Sequence, residues 1–82
     1  MMTAMVDSSF PLAMVQEGDR VKISQLRAGN SLELRLASMG LNVGSEIVVS
    51  QRAGCDLVVI RGETRLALGL GMAQKIMVTP LA

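Results

Sequence analysis

The side chains of this sequence that could do chemistry are a lone thiol, scattered carboxylates and a set of arginines. Cys55 precedes Asp56 in Ala53-Gly54-Cys55-Asp56, a stretch with the composition of a hairpin turn. A thiolate beside a carboxylate would attract a soft metal, but two ligands fall short of the three or four protein ligands of a stable site. Histidine is absent. That removes the commonest metal ligand and the base on which a Ser-His-Asp arrangement depends. Glu17, Asp19, Glu33, Glu46, Asp56 and Glu63 fall mostly at turns and strand ends, where carboxylates are ordinarily solvated. Gly69-x-Gly71 lacks the lysine and serine of a phosphate loop. No catalytic residue, metal site or cofactor is therefore expected. Arg35, Arg52, Arg61 and Arg65 remain. Solvated faces account for them, and the competing reading is a shallow patch that meets an acidic partner, since arginine is favoured at interfaces.

Composition narrows the class. A chain of 82 residues makes one domain. Hydrophobic residues reach 50% without counting glycine, whereas an average chain reaches about 45–50% only with glycine included. A small domain cannot hide that much, so exposed apolar surface of the interface kind is expected. The net charge is +1, from 8 basic and 7 acidic residues. With Phe10 as the one aromatic residue and no basic run, nucleic-acid binding is not expected. The single cysteine excludes an intrachain disulfide and fits a reducing compartment. No Lys or Arg precedes Arg20, and the longest apolar run covers only residues 11–15. A secretory signal and a membrane span are both unsupported, so a cytoplasmic protein without membrane insertion is expected.

The elements that must position these groups follow from periodicity. Residues 1–9 read as a mobile tail, with the barrel domain over 10–82. Residues 10–15 form a short apolar segment. Arg20-Val21-Lys22-Ile23 alternates, with Val21, Ile23 and Leu26 facing inward: a half-buried strand over residues 20–26. A helix starts at Asn30 as N-cap, with Glu33 at N3, and buries Leu32, Leu36 and Met39. Gly40 stops it in the left-handed region, and Leu41 folds back on Leu36. Strands follow over residues 46–51, 57–61, 64–68 and 75–79. Gly62-Glu63 makes a two-residue loop, residues 72–74 one helical turn, and Pro80 ends the ladder. About five short strands with tight turns, and one short helix between the first two, predict a mainly β, small closed or nearly closed barrel.

The pattern Arg35-Leu36-x-x-Met39-Gly40-Leu41-x-x-Gly44, followed by Glu46-Ile47-Val48-Val49, resembles the RLxxLGLxxG signature of the FeoA family. Pro11-Leu12, Glu17-Gly18 and the strand to Ile23 look like that family's opening. Leu57 to Ile60, Arg65-Leu66-Ala67-Leu68, Ala73 and Ile76-Met77-Val78 look like its close. The resemblance implies an SH3-like barrel that acts by protein contact, without catalysis, on the cytoplasmic portion of the FeoB ferrous-iron transporter. A related barrel forms the C-terminal domain of DtxR-type iron-dependent repressors, so a detached regulatory domain is the alternative. Met39 stands where the signature has Leu, a swap of similar volume. The lack of aromatic residues argues against a proline-peptide groove. Leu36, Met39, Gly40, Leu41 and Gly44 read as structural signature positions. Arg35, which opens the signature, and Arg65, on the strand face opposite Leu66 and Leu68, are the candidates for touching the partner. Pairing of Arg35 with a carboxylate and self-association into a homo-oligomer both stay open.

Overall fold

Alternation of apolar and polar side chains builds most of the molecule. The computed structural model describes residues 9–27 and 29–81. Its strands are β1 (Phe10–Pro11), β2 (Arg20–Leu26), β3 (Glu46–Ala53), β4 (Asp56–Arg61), β5 (Thr64–Gly69) and β6 (Ile76–Pro80). They form one antiparallel sheet in the order β1-β6-β2-β3-β4-β5. Helix α1 (Asn30–Ser38) joins β2 to β3, α2 (Leu70–Ala73) joins β5 to β6, and a 3-10 turn (Leu12–Met14) follows β1. The architecture is mainly β and SH3-like. The inner face carries Val21 and Ile23, Ile47 and Val49, Leu57 and Val59, Leu68, and Ile76 and Val78. Leu12, Val15, Leu36, Leu41 and Ala73 complete this core, and no polar or charged residue is buried among the described residues. β1 and β5 are the ends of the sheet, and α2 packs on β4, β5 and the 3-10 turn to close the space between them.

Several expectations need correction. The sheet has six strands rather than five, because Phe10–Pro11 pairs with β6 as Phe10↔Val78 and Pro11↔Met77. A two-residue strand is too short to show a period of two, and Pro11 is tolerated because an edge strand has no further partner for the missing N–H. Asn30 is not the N-cap. Gly29 holds that position, and its carbonyl accepts the N–H groups of Leu32 (3.1 Å) and Glu33 (3.2 Å), with no side chain capping the helix. Asn30 is thus the first helical residue, which moves Glu33 one place past N3. The second helical turn spans Leu70–Ala73, earlier than expected, because Gly69 stays extended and ends β5. Pro80 does not stop the ladder. It stands opposite Val21, and Leu81 donates its N–H to the Arg20 carbonyl at 3.2 Å. At that position the missing N–H points away from β2. Leu26 packs on the core as expected, because a register shift in β2 between Ile23 and Gln25 turns it, rather than Gln25, inward. The expected tail, Ser9 apart, lies outside the described residues.

Candidate partner-contact site

The surface around α1 follows from how the helix stops. Met39 cannot continue the helix because Gly40 turns to φ 82°, a region that is strained for residues with a Cβ. The Leu41 N–H then reaches the Leu36 carbonyl (2.8 Å), and the Gly40 N–H reaches Ala37 (2.9 Å), the paired bonds of a Schellman end. Leu36 and Leu41 are fully buried, so the helix end and the core are tied at one point. Beyond it Ser45 closes the loop. Its Oγ donates to the Gly40 carbonyl (3.2 Å) and accepts the Asn42 N–H (3.1 Å). Gly44, at φ 96°, donates to the Ile23 carbonyl at 2.7 Å, which holds the loop against β2.

What the core does not use is left outside. Leu32 and Met39 are half-buried against the core, while Leu34 is 71% and Val43 62% exposed. These two line an open groove with Leu26, Glu33 and Ala37. This is exposed apolar surface of the kind the composition calls for.

The structure places the arginines in four different settings. Arg35 is exposed on α1, and its side chain makes no hydrogen bond or ion pair among the described residues. The carboxylate pairing left open for it is not formed there. Arg65 is exposed on β5 opposite Ile60, at the end of a cross-strand row that runs Arg20, Val48, Ile60, Arg65. Arg35 and Arg65 therefore belong to different surfaces, one on the helix and one on the outer face of the sheet. Arg52 is a fastening. Its Nη1 donates to the carbonyls of Ala13 (2.7 Å) and Val15 (3.0 Å), and its backbone N–H donates to Glu17 Oε2 (2.7 Å). Arg61 lies across Gly40, with Cζ and Nη1 3.1 Å and Nε 3.3 Å from where a glycine Cβ would stand. Sequence reasoning placed Arg52 and Arg61 on solvated strand faces or in a shallow patch that meets an acidic partner, and foresaw neither contact. No local signal marks either one, because the groups they meet come from remote segments.

Cys55 is exposed and reduced at its hairpin tip, and no group of three or more His, Cys, Asp or Glu that could hold a metal occurs among the described residues. No helix among them is long and apolar enough to cross a membrane.

Comparison with known proteins places this geometry. A protein of Methanocaldococcus jannaschii provisionally named Fe(2+) transport protein A is 36% identical over 69 residues, which is 84% of each chain. The crystal structure of an iron uptake regulatory protein, FeoA, superposes with a TM-score of 0.82 at 32% identity, over 89% of this chain and 97% of that one. A manganese-dependent transcriptional repressor superposes with a TM-score of 0.85 at 22% identity. This chain corresponds to only 44% of it, and the likeness is one of fold. The FeoA domain model matches residues 10–80, from β1 through β6, and the chain belongs to that family.

Proposed function

We propose that this protein serves ferrous-iron uptake as a cytoplasmic, non-enzymatic accessory protein that acts by contact with the cytoplasmic portion of a FeoB-type transporter. Family membership and the relative named for Fe(2+) transport support the process. The observation that carries the contact reading is the surface at α1, where Leu34 and Val43 stand exposed beside a helix whose Arg35 has no partner among the described residues. An apolar patch on a helix that also carries a multi-donor arginine has the composition of a binding hot spot. Arg65, at the end of the outer row of the sheet, is a second candidate contact.

Arg35→Ala and Arg65→Ala test this reading in cells. Loss of ferrous-iron uptake in either variant, with expression and melting temperature held, supports contact. Uptake that stays unchanged in both removes these arginines from the contact surface. The likeness to repressors favours a second reading, a detached regulatory domain that senses metal. Anaerobic titration with ferrous iron separates the two. The accessory reading expects no stoichiometric binding tighter than about 10 μM, or roughly −7 kcal/mol. A saturable one-to-one isotherm lost in Cys55→Ser favours the sensor.

A further inference from the structure

Beside the end of α1, Asn42, Val43, Ser45, Glu46 and Arg61 border an open groove. The guanidinium of Arg61 dominates it. Three of its atoms lie at nearly equal distances, 3.1–3.3 Å, from the point where a Gly40 Cβ would stand, so the planar group turns its face to the glycine. Two features favour this position. Gly40 has no side chain to displace it, and the C-terminal end of α1 presents the negative pole of the helix dipole to a cation. It donates to none of the nearby backbone carbonyls. Those of Leu36 and Ala37 accept the Schellman bonds, that of Arg35 accepts from Ser38 Oγ (2.7 Å), and that of Gly40 from Ser45 Oγ. Glu46 borders the same groove without pairing with Arg61. The planar fork of donors therefore borders the groove with no hydrogen bond or ion pair among the described residues.

We infer that Arg61 anchors a carboxylate of the protein partner, carried on a segment whose neighbouring apolar side chain rests on Val43. A guanidinium held by its face keeps its edges free for two parallel N–H···O bonds, the geometry a carboxylate matches. A phosphate dianion fits less well, because Glu46 offsets the one positive charge in the groove. Val43, at 62% exposure, supplies the apolar half of the contact. The inference rests on the transporter reading for the partner's identity and on the groove for its chemistry.

The test uses the full chain and the purified cytoplasmic portion of the transporter, with binding followed by calorimetry. Arg61→Gln should weaken binding at least tenfold. Arg61→Lys, a point charge without the fork, should weaken it about three- to tenfold. Both variants should melt as the parent does. Equal affinity of the parent and Arg61→Gln overturns the inference and leaves the transporter reading standing. Absence of binding by the parent overturns the transporter reading, and the anchor is then decided by the dipeptides acetyl-Glu-Val-amide and acetyl-Gln-Val-amide. In nitrogen-15 spectra the Arg61 Nε–H resonance should move saturably with the Glu dipeptide and stay fixed with the Gln dipeptide, while Arg35 stays fixed with both. Equal movement of Arg35 and Arg61, or equal response to both dipeptides, overturns the anchor.

Discussion

Arg52 and Arg61 stand near opposite ends of the β3–β4 hairpin, and the molecule uses them in opposite ways. Arg52 meets the 3-10 turn and the residue that follows it. That turn is too short to satisfy itself: it closes one bond, from the Val15 N–H to the Leu12 carbonyl (3.0 Å), and leaves the carbonyls of Ala13 and Val15 for an outside donor. Arg52 fills the need. Arg61 meets the end of α1, where the Schellman bonds and the Ser45 hydroxyl already supply donors to the carbonyls of Leu36, Ala37 and Gly40, and it donates to none of them. One arginine fastens a stretch of backbone that lacks donors, and the other lies on a stretch that supplies its own.

The comparison breaks most sharply at Gly40. Gly40→Val forces a β-branched residue into φ 82° and drives its Cβ to 3.1 Å from the Arg61 guanidinium. The expected loss is about 1–3 kcal/mol, which thermal unfolding should register as a fall of roughly 4–8 °C for each kcal/mol. An unchanged melting temperature would mean that the helix does not end in the left-handed turn. Next in size is Arg52→Ala, which removes two charge-assisted hydrogen bonds and releases the 3-10 turn from β3. About 1–2 kcal/mol is expected, because the released carbonyls regain water. Amide exchange should quicken at Val15, whose N–H belongs to that turn. Exchange that stays slow would show the turn to be held by Leu12 and Val15 in the core instead.

Much of this architecture is legible in the residues, and what is not has a common cause. Alternation in Arg20-Val21-Lys22-Ile23 and in Glu46-Ile47-Val48-Val49 reports strand faces directly, since each side chain answers to its own position on the pleat. Gly62 at φ 61° and Gly40 at φ 82° are local demands that only glycine meets readily. Asn30 misleads because the helix begins one residue earlier, with Gly29 as an N-cap that has no side chain to bond, and a good capping side chain next to it does not reveal which residue is used. Phe10–Pro11 becomes a strand only because β6 is there to receive it. The arginines are the extreme case. The bond from Arg52 to Ala13 joins residues 39 apart in the chain, and nothing in the sequence around either one announces it.

A smaller effect tests what secures the free side of the comparison. Ser45→Ala deletes the hydroxyl that bridges the Asn42 N–H and the Gly40 carbonyl. The loop keeps its backbone bond from the Ser45 N–H to the Asn42 carbonyl (2.9 Å), so about 0.5–1.5 kcal/mol is expected. The Gly40 carbonyl also loses a donor, on the glycine that the guanidinium covers. If Arg61 turns to it, Ser45→Ala should weaken carboxylate binding as well as stability. Calorimetry and denaturation on the same variant measure the two effects side by side, and full binding in the destabilised variant would show that the guanidinium keeps its place without Ser45.

The smallest expected change is the most telling. Arg61→Ala removes a side chain that is exposed and makes no hydrogen bond or ion pair among the described residues. What it loses internally is contact with the Gly40 backbone and a favourable position at the end of α1. Substitutions on a surface of this kind usually change stability by no more than about 0.5 kcal/mol, well below the effect expected for Arg52→Ala. The two arginines share a residue type, a hairpin and an exposed class, so urea denaturation of both variants under one set of conditions isolates the difference in what each one meets. A midpoint for Arg61→Ala that falls as far as that for Arg52→Ala would mean that the guanidinium fastens the helix end after all. Arg61 would then be a second structural clamp rather than a group held ready for a partner. A midpoint that stays with the parent, while only the Arg52 variant falls, leaves Arg61 lying on a glycine that does not need it for stability.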